Sequence, residues 1–379
     1  MDFSLSEEQS MLVDSISRFI DNDYDFETRQ KNAAAAEGFN TGTWALFAEL
    51  GWTAIPFDED AGGLGGGPIE LALLMQQFGR GLVVEPYLAN IVLAGGLLRR
   101  LGNDEQRSGL LAGLIDGSQQ SAVAFAEPQA RFNIADVATA ATADGSDFLL
   151  TGNKNLVLNG GNAGHIVIPA RTSGNRSDES GISLFIIAAD APGLRINRYP
   201  TVDGHQAAEL TLTNVRATPQ DLLGEVDQGF PALQAVVDEA TLAVCAEAVG
   251  IMTTMHEKTV EYSKNRVQFG VPIGSFQALQ HRMADTLIAC ERSYSLMLWS
   301  VMVNAEGSPE ARKAVSALKY QIGSAGRLVA QEAVQIHGGM GVTWELDIAH
   351  YFKRLTAIDL MFGNGDYHLD RFIDLSGQR

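Results

Sequence analysis

The sequence predicts an α+β protein in which a β-rich region separates two helical regions. Apolar residues recur at three- and four-residue steps near the N-terminus, at two-residue steps from about residue 121, and at helical steps again from about residue 228. We therefore expect an N-terminal helical domain over residues 1–120, a middle β-barrel-like domain over 121–227 and a C-terminal four-helix bundle domain over 228–379. A chain of 379 residues is long enough to bury the cores of such domains.

A capping box and the helical spacing of apolar residues predict the N-terminal helices. Ser6-Glu7-Glu8-Gln9 is a capping box, and the apolar residues from Met11 to Ile20 lie on one face of the helix that it begins. Further helical patterns are predicted at 42–50, 69–82, 87–101 and 104–115. The glycine-rich run Gly62–Gly67 lacks the G-x-x-x-x-G-K-[ST] pattern and follows no strand, so we interpret it as a mobile loop rather than a phosphate site.

The middle region reads as short strands that Gly, Asn, Asp and Ser residues separate. The predicted strands are 122–126, 148–151, 165–169, 182–188, 194–199 and 209–212. Beyond residue 228 the pattern predicts four long helices. They are expected to run from about 228 toward Lys264 and over 275–305, 309–337 and 345–361.

Composition excludes several classes of function. The chain carries 27 basic and 46 acidic residues, a net charge of −19, which argues against nucleic acid or an anionic membrane as a partner. No apolar run approaches the roughly 20 residues that span a bilayer, and no basic cluster opens the chain, so we expect a cytoplasmic protein. Cys245 and Cys290 have no metal-ligand spacing, so we expect buried thiols and no metal site.

Two segments carry the functional signal. Arg266-Val-Gln-Phe-Gly-Val-Pro-Ile-Gly-Ser-Phe-Gln277 follows one long helical pattern, and Gln335-Ile-His-Gly-Gly-Met-Gly341 ends another. An arginine together with backbone N–H groups that a ligand can approach closely suits a pyrophosphate. The ring of Phe269 suits packing against an adenine. Each element alone is a weak signal.

Together, in this order and spacing, the two segments resemble the acyl-CoA dehydrogenase family of flavoproteins. The resemblance runs from Ser4-Leu-Ser-Glu-Glu-Gln9 to the last helix. It implies the three-domain fold above, FAD as cofactor, and a set of residues that hold the ADP half of an FAD belonging mainly to a neighbouring subunit. These residues are Arg266, Gln268, Phe269, Gln277, Gln335, Ile336, His337, Gly338 and Gly339. The alternatives are a surface salt bridge for Arg266 and a helix-end structural role for His337.

The catalytic base that the resemblance implies is missing. Such enzymes remove the α-proton of a CoA thioester with a glutamate while the β-hydrogen leaves as hydride, and a positioned base is worth about 10²–10⁴-fold in rate. Counting from Gly338 through Arg354 places Phe362 where most members have that glutamate. Other members carry it on the long helix before Arg266, where the matching residue is Ala240. Neither side chain accepts a proton, so no catalytic residue is assigned.

Nearby carboxylates offer weaker candidates. Glu239 is one residue away from the second family position, which rotates it about 100° around the helix. Glu247 lies two turns beyond Ala240 on nearly the same face, and it is either a structural ion-pair partner or a relocated base. For Asp359 and Asp366, which flank Phe362, we expect solvated or capping roles.

The segments that would wall the flavin ring are also altered. Glu127 and Pro128 are kept from one family motif, but its Thr and Ser are lost. Of the second motif, Lys-x-Trp-Ile-Thr-Asn-Gly, the run Lys154–Gly160 keeps Lys154, Asn159 and Gly160. Leu156 and Leu158 replace its tryptophan and threonine. Losing one donor from a buried polar ring costs about 1–3 kcal/mol.

The chain thus resembles the small, base-lacking subunit of heteromeric acyl-CoA dehydrogenases. This resemblance implies an oxidoreductase, active in a heterotetramer with a related subunit that carries the catalytic glutamate. It implies an acyl-CoA substrate, such as a fatty, steroid side-chain or dicarboxylyl thioester, and an electron-transfer flavoprotein as acceptor. Two alternatives stay open. One is a self-sufficient flavin enzyme, monooxygenase-like or using Glu247 as base, and the other is a flavin-free scaffold.

Overall fold

The computed structural model describes residues 4–377 and confirms the predicted order of helical, β-rich and helical regions. The chain forms two compact units, each assembled from segments that are distant in sequence. The first unit draws on Met1–Lys31, Gly67–Val83 and Thr241–Arg379, and the second on Asn32–Gly66 and Val84–Ala240. The sequence-predicted domain boundaries, after residues 120 and 227, stay a prediction.

The N-terminal helices have at most 17 residues, and two of the segments between them wind into π-helical turns at Leu88–Gly95 and Arg107–Leu111. They are α1 (Glu7–Asp23), α2 (Phe26–Ala33), α3 (Thr41–Glu49), α4 (Pro68–Gly81), α5 (Gly96–Leu101), α6 (Asp104–Gln106) and α7 (Ala112–Ile115). The C-terminal helices are α8 (Phe230–Asn265), α9 (Gln277–Ala305), α10 (Ala311–His337), α11 (Ile348–Leu360) and α12 (Gly365–Leu375). The first three of these have 27 to 36 residues.

In the first unit, α10 is the central helix and packs against α9, α11 and α12. Helix α4 crosses α8 at two glycines. A Cβ on Gly250 would lie 1.9 Å from the carbonyl oxygen of Gln76, and one on Gly79 would lie 2.0 Å from that of Glu247. Because only glycine permits this approach, the two backbones are held in contact there.

The second unit contains an eight-stranded sheet. Its strands are β1 (Ser121–Val123), β2 (Ala140–Asp144), β3 (Asp147–Leu158), β4 (His165–Arg171), β5 (Ile182–Ala188), β6 (Leu194–Pro200), β7 (Gln206–Ala217) and β8 (Leu222–Leu223). Their order is β6-β7-β3-β2-β4-β5-β8, with β1 parallel to β4. Apolar side chains such as Leu150, Ile166, Phe185 and Leu210 fill the core of this unit.

Among the helices and strands given so far, four lie where the sequence pattern assigned none. They are α2, β2, β8 and α12. Strand β2 is Ala-Ala-Thr-Ala-Asp with a single buried residue, so its weak β propensity and lack of alternation hide it. Helix α12 begins after Asn364, whose Oδ1 accepts a hydrogen bond from the N–H of Tyr367 at 3.1 Å. Within residues 4–377, no helix combines the length and apolar character needed to cross a membrane.

Candidate functional site

A tight hairpin follows α8 and carries the first predicted segment. The N–H of Arg266 still donates to the carbonyl of Tyr262 at 2.8 Å, and the strands β9 (Val267–Gln268) and β10 (Val271–Pro272) then pair antiparallel. Phe269 and Gly270 form the turn with φ of 56° and 82°. Two consecutive positive φ values are those of a two-residue hairpin turn, which points the side chain of the first turn residue away from the sheet.

The hairpin presents a ring and a cation to solvent. Phe269 is 93% exposed, and its ring meets the ring of Phe276 edge-on at 6.3 Å between centroids. Arg266 is exposed, and its guanidinium has no hydrogen bond or ion pair to any residue within 4–377. The salt bridge that is the alternative interpretation of Arg266 is therefore not formed within the described chain. Both groups are available to a ligand or to another protein.

The end of α10 is fastened to α8 by a histidine. The Nδ1 of His337 donates to the carbonyl of Ala333 at 2.8 Å, and its ring stacks on Tyr262 with centroids 4.3 Å apart. Burial lowers the pKa of His337, so its ring is neutral at neutral pH. His337 and the neighbouring Ile336 are buried, and they support the surface rather than present atoms on it.

A small apolar cluster brings the two predicted segments together. Ile273 from the hairpin, Met283 from α9 and Ile336 from α10 pack with Val260, Tyr262 and Leu279. The Gly-Gly pair follows Ile336 and His337 at the end of α10. Gly338 has φ 61°, and a Cβ added at either Gly338 or Gly339 would meet no atom within 4 Å. The N–H of Gly338 is bonded to the carbonyls of Gln335 and Val334, so the open backbone allows a ligand to approach closely but does not offer that donor.

The surface therefore combines the features predicted from the sequence. Seven of the nine predicted cofactor residues are exposed. They are Arg266, Gln268, Phe269, Gln277, Gln335, Gly338 and Gly339. This surface suits a pyrophosphate joined to an aromatic base. It presents one cation, three amides and open backbone for the pyrophosphate, and one aromatic ring for the base.

Phe362 stands in a strained turn between α11 and α12. Its φ is 58° and that of Gly363 is 114°, so two successive residues adopt positive φ. A Cβ on Gly363 would lie 2.3 Å from the ring of Tyr367, which makes glycine obligatory there. An aromatic residue in the left-handed region carries a cost of about 1–3 kcal/mol, which the surrounding structure offsets.

Two buried polar side chains, which sequence reasoning missed, hold this turn. The Nζ of Lys319 donates to the carbonyls of Gly363 at 2.5 Å and Asp359 at 2.9 Å. The Nε2 of His368 donates to the carbonyl of Phe362 at 3.1 Å. Burial and the adjacent Lys319 lower the pKa of His368 to about 3, so the histidine is neutral. The sequence feature that could have revealed the burial of Lys319 is its position among the apolar residues on one face of α10, because a lysine exposed to solvent would lie on the polar face.

Glu247 forms a buried, two-pronged ion pair with Arg354. The Nε of Arg354 donates to Oε1 at 2.6 Å and its Nη2 donates to Oε2 at 2.7 Å. The two residues are 3% and 5% exposed. Both carboxylate oxygens are thus engaged by one guanidinium, as in a structural ion pair. A general base needs an oxygen free to receive a substrate proton.

Of the remaining carboxylates near the family positions, Glu239 and Asp359 are paired with arginines and Asp366 is exposed. Glu239 accepts hydrogen bonds from both Arg99 and Arg100. Asp359 is paired with Arg327 at 3.2 Å. Asp366 is exposed in the first turn of α12, and Ala240 is completely buried and apolar.

The second unit contains the segment that matches the family's ring-binding wall. Strand β3 shifts register between Lys154 and Val157, and Leu156 lies in this irregularity with φ 47°. Leu156 is exposed and Leu158 half-buried, and neither side chain has a hydrogen-bond donor. This segment therefore offers no side-chain donor at Leu156 and Leu158, the two positions where the family resemblance places tryptophan and threonine.

Two residues of this unit that match the family motifs, Glu127 and Lys154, form a buried ion pair. The Nζ of Lys154 donates to Glu127 Oε1 and to the carbonyl of Pro169, both at 2.7 Å. Glu127 also accepts from the backbone N–H groups of Ala138 and Thr139. Burial lowers the pKa of Lys154, while the adjacent Lys154 cation contributes to the lowered pKa of Glu127. This pair joins strand β3 to the preceding loop.

Comparison with known proteins gives a consistent result along the chain. The models of the acyl-CoA dehydrogenase N-terminal, middle and C-terminal domains match residues 6–118, 122–215 and 227–374. A probable acyl-CoA dehydrogenase of Bacillus subtilis, YngJ, is 28% identical over 98% of each chain.

Two similar solved structures are named for paired components. A variant of the Tcur3481-Tcur3483 steroid ACAD is 30% identical over 99% of each chain, with a TM-score of 0.88. The ChsE4-ChsE5 complex from Mycobacterium tuberculosis is 25% identical over 100% of each chain, with a TM-score of 0.90.

Proposed function

Because the chain belongs to the acyl-CoA dehydrogenase family, we propose that it is the base-lacking subunit of a heteromeric, FAD-dependent acyl-CoA dehydrogenase. The family comprises oxidoreductases that act on CH–CH groups. In the proposed assembly, a related subunit supplies the catalytic glutamate and the flavin-ring site. This chain completes the partner's cofactor site with the surface around Arg266 and Gly338.

The observation that carries the proposal is the state of the carboxylates. Phe362 and Ala240 occupy both family positions of the base, and Glu247 has each oxygen bound by Arg354. The α-carbon of a thioester is a weak acid, so its proton leaves slowly without a positioned acceptor. The chain therefore needs a second protein to provide that acceptor.

The exposed surface fits the ADP half of FAD. Arg266 would give charge-assisted hydrogen bonds to the pyrophosphate, the backbone of Gly338 and Gly339 would approach it closely, and Phe269 would pack against the adenine. When bound, FAD accepts the hydride that leaves the β-carbon. Leu156 and Leu158 do not fit the polar edge of the flavin ring, so we assign the ring to the partner's site.

The similar structures support this division of labour. Two of them are named for pairs of components, Tcur3481-Tcur3483 and ChsE4-ChsE5, and the first is named as a steroid ACAD. We propose by analogy a heterotetramer that desaturates a bulky thioester such as a steroid side-chain acyl-CoA. Transfer of electrons to an electron-transfer flavoprotein and a cytoplasmic location are parts of the same proposal.

The test is the flavin content of the assembled complex. Arg266→Ala removes charge-assisted hydrogen bonds worth about 1.5–3 kcal/mol each, so FAD should bind about tenfold or more weakly. Arg18→Ala, at another exposed arginine, is the matched control and should keep the wild-type FAD content. FAD is measured by its absorbance after the complex is purified and dialysed. An Arg266→Ala complex with a full complement of FAD would show that the surface does not hold the cofactor.

A further inference from the structure

Of the methionines within residues 4–377, only Met11 and Met340 are exposed. Met11, on α1, is 66% exposed, and Met340, in the segment that follows α10, is 49% exposed. The other methionines of the described chain are buried or half-buried. An exposed thioether can meet a dissolved oxidant, whereas a buried one is shielded by the side chains around it. These two side chains are therefore the ones that an oxidant reaches first.

The backbone that follows Met340 holds its side chain at the surface. The carbonyl of Met340 accepts hydrogen bonds from the N–H of Thr343 at 3.2 Å and from the hydroxyl of Thr343 at 3.0 Å. A Cβ added to Gly341 would lie 2.8 Å from the carbonyl oxygen of Val334, so the backbone lies against α10 at a distance that favours glycine. The segment is thus fixed on α10, and the thioether stays accessible.

Met340 also lies in an apolar part of the surface. The exposed residues of the segment 340–344 are Met340, Val342 and Trp344, and all three are apolar. Gly338 and Gly339 precede this segment directly. Several exposed apolar side chains in one short segment are typical of a surface that a ligand or another protein covers. Oxidation of Met340 would add a polar oxygen there, and covering that oxygen without a hydrogen-bond donor is unfavourable.

We infer that Met340 is a redox-sensitive modification site, and that its oxidation to the sulfoxide weakens the hold of this chain on FAD. The inference rests on the proposed function, in which the surface around Arg266 and Gly338 holds the ADP half of the partner's FAD. The oxidant is hydrogen peroxide, which forms when dioxygen takes the electrons of a flavoprotein. The sulfur lone pair attacks one peroxide oxygen and forms the S–O bond while the O–O bond breaks. Sulfur is oxidised, and the peroxide is reduced to water.

The free chain is the form that this modification affects. In the proposed complex, FAD and the partner subunit cover the segment next to Gly338 and Gly339, so assembly shields Met340 from peroxide. A chain oxidised before assembly takes up FAD poorly with its partner. Methionine sulfoxide is reduced again by dedicated reductases, so the block is reversible. Peroxide released by flavoproteins would thus slow the formation of further complexes.

The test measures sulfoxide formation and FAD binding separately. The free chain is treated with hydrogen peroxide, and peptide mass spectrometry locates the added oxygen, which we expect on Met11 and Met340 before any other described methionine. The treated chain is then combined with a related subunit that has glutamate in place of Phe362, and FAD binding is measured by equilibrium dialysis. FAD should bind at least about tenfold more weakly than to the untreated complex. Incubation with methionine sulfoxide reductases A and B should restore binding.

Variants separate the effects of the two exposed methionines. Met340→Leu keeps an apolar side chain and forms no sulfoxide, so FAD binding should stay within about twofold of the wild type before and after peroxide. Met340→Gln places a polar side chain at this position and should weaken FAD binding without peroxide. Met11→Leu and Met11→Gln are the matched controls. Met11→Leu should remain as sensitive to peroxide as the wild type, and Met11→Gln should bind FAD normally.

Three results would overturn the inference while leaving the proposed function intact. They are a Met340 that stays unoxidised while Met11 is oxidised, unchanged FAD binding after Met340 is oxidised, and an equal loss of FAD in Met340→Leu and the wild type. An untreated complex that binds no FAD would instead refute the proposed function, and the inference with it. Circular dichroism of each treated chain and variant verifies that the helices are intact.

Discussion

Replacing Glu247 or Arg354 with methionine should destabilise the chain severely, whereas replacing both should not. The pair links α8 to α11 through two hydrogen bonds of 2.6 and 2.7 Å, and both side chains are almost wholly buried. Removing one partner leaves the other charge buried without compensation. Methionine has a suitable volume and an adaptable shape for either position.

The magnitude follows from the burial. Breaking a buried ion pair on one side costs about 3–5 kcal/mol, while replacing the whole pair by packed apolar side chains is often neutral or stabilising. We expect about 3–5 kcal/mol for Glu247→Met and for Arg354→Met. The double variant should lie within about 1 kcal/mol of the wild type. The control Arg327→Met breaks the more exposed pair with Asp359 and should cost less than about 1 kcal/mol.

Urea denaturation followed by far-ultraviolet circular dichroism measures these differences for the four variants. Additive costs in the double variant would refute the reasoning, since they would mean that the two side chains do not depend on each other. A cost below about 1 kcal/mol for Glu247→Met would do the same, because a residue that contributes little to stability is free to serve another role. In that case Glu247 would become the first candidate for a catalytic base.

Two further predictions concern the turn at Phe362. His368 has a pKa lowered from its ordinary value to about 3, so the unfolded chain takes up a proton near pH 6.5 that the folded chain refuses. Its contribution to stability is therefore complete above pH 6.5 and falls toward pH 3, by about 2 kcal/mol at pH 5. His368→Gln should lose less stability than the wild type between pH 7.5 and 5, and equal losses would contradict the assignment. Phe362→Glu should not make the isolated chain active, because Leu156 and Leu158 still lack hydrogen-bond donors for a flavin ring. Turnover of an acyl-CoA by this variant would show that the segment around Leu156 and Leu158 can hold the flavin ring without those donors.

The long helices could be predicted well from the sequence because the apolar residues in each recur at three- and four-residue steps. The predicted helices at 275–305 and 309–337 correspond to α9 (Gln277–Ala305) and α10 (Ala311–His337). The approach of the two cofactor segments was expected only from the family resemblance. The structure explains it by the packing of Ile273 and Met283 against Ile336, which lies much later in the sequence. The roles proposed for the exposed residues of this surface stay predictions.

The partners of buried charges were beyond sequence reasoning. Glu247 and Arg354 are 107 positions apart, and the helical period of α8 alone left two roles open for Glu247. The same holds for Lys319, whose carbonyl acceptors lie beyond residue 358 on another element. Long-range pairs depend on how helices cross, which a single sequence does not specify. The positive φ of Phe362 was hidden for a similar reason, since it depends on support from Lys319 and His368.

The central claim, that this chain needs a partner with a glutamate base, is tested most directly by anaerobic bleaching of bound flavin. The chain is supplied with FAD, first alone and then co-purified with a related subunit that has glutamate in place of Phe362. Butyryl-CoA, octanoyl-CoA and a steroid side-chain CoA thioester are added in turn, and the visible absorbance of the flavin is followed. We predict bleaching by at least one thioester with the complex and none with the chain alone. Rapid bleaching with the chain alone would contradict the claim.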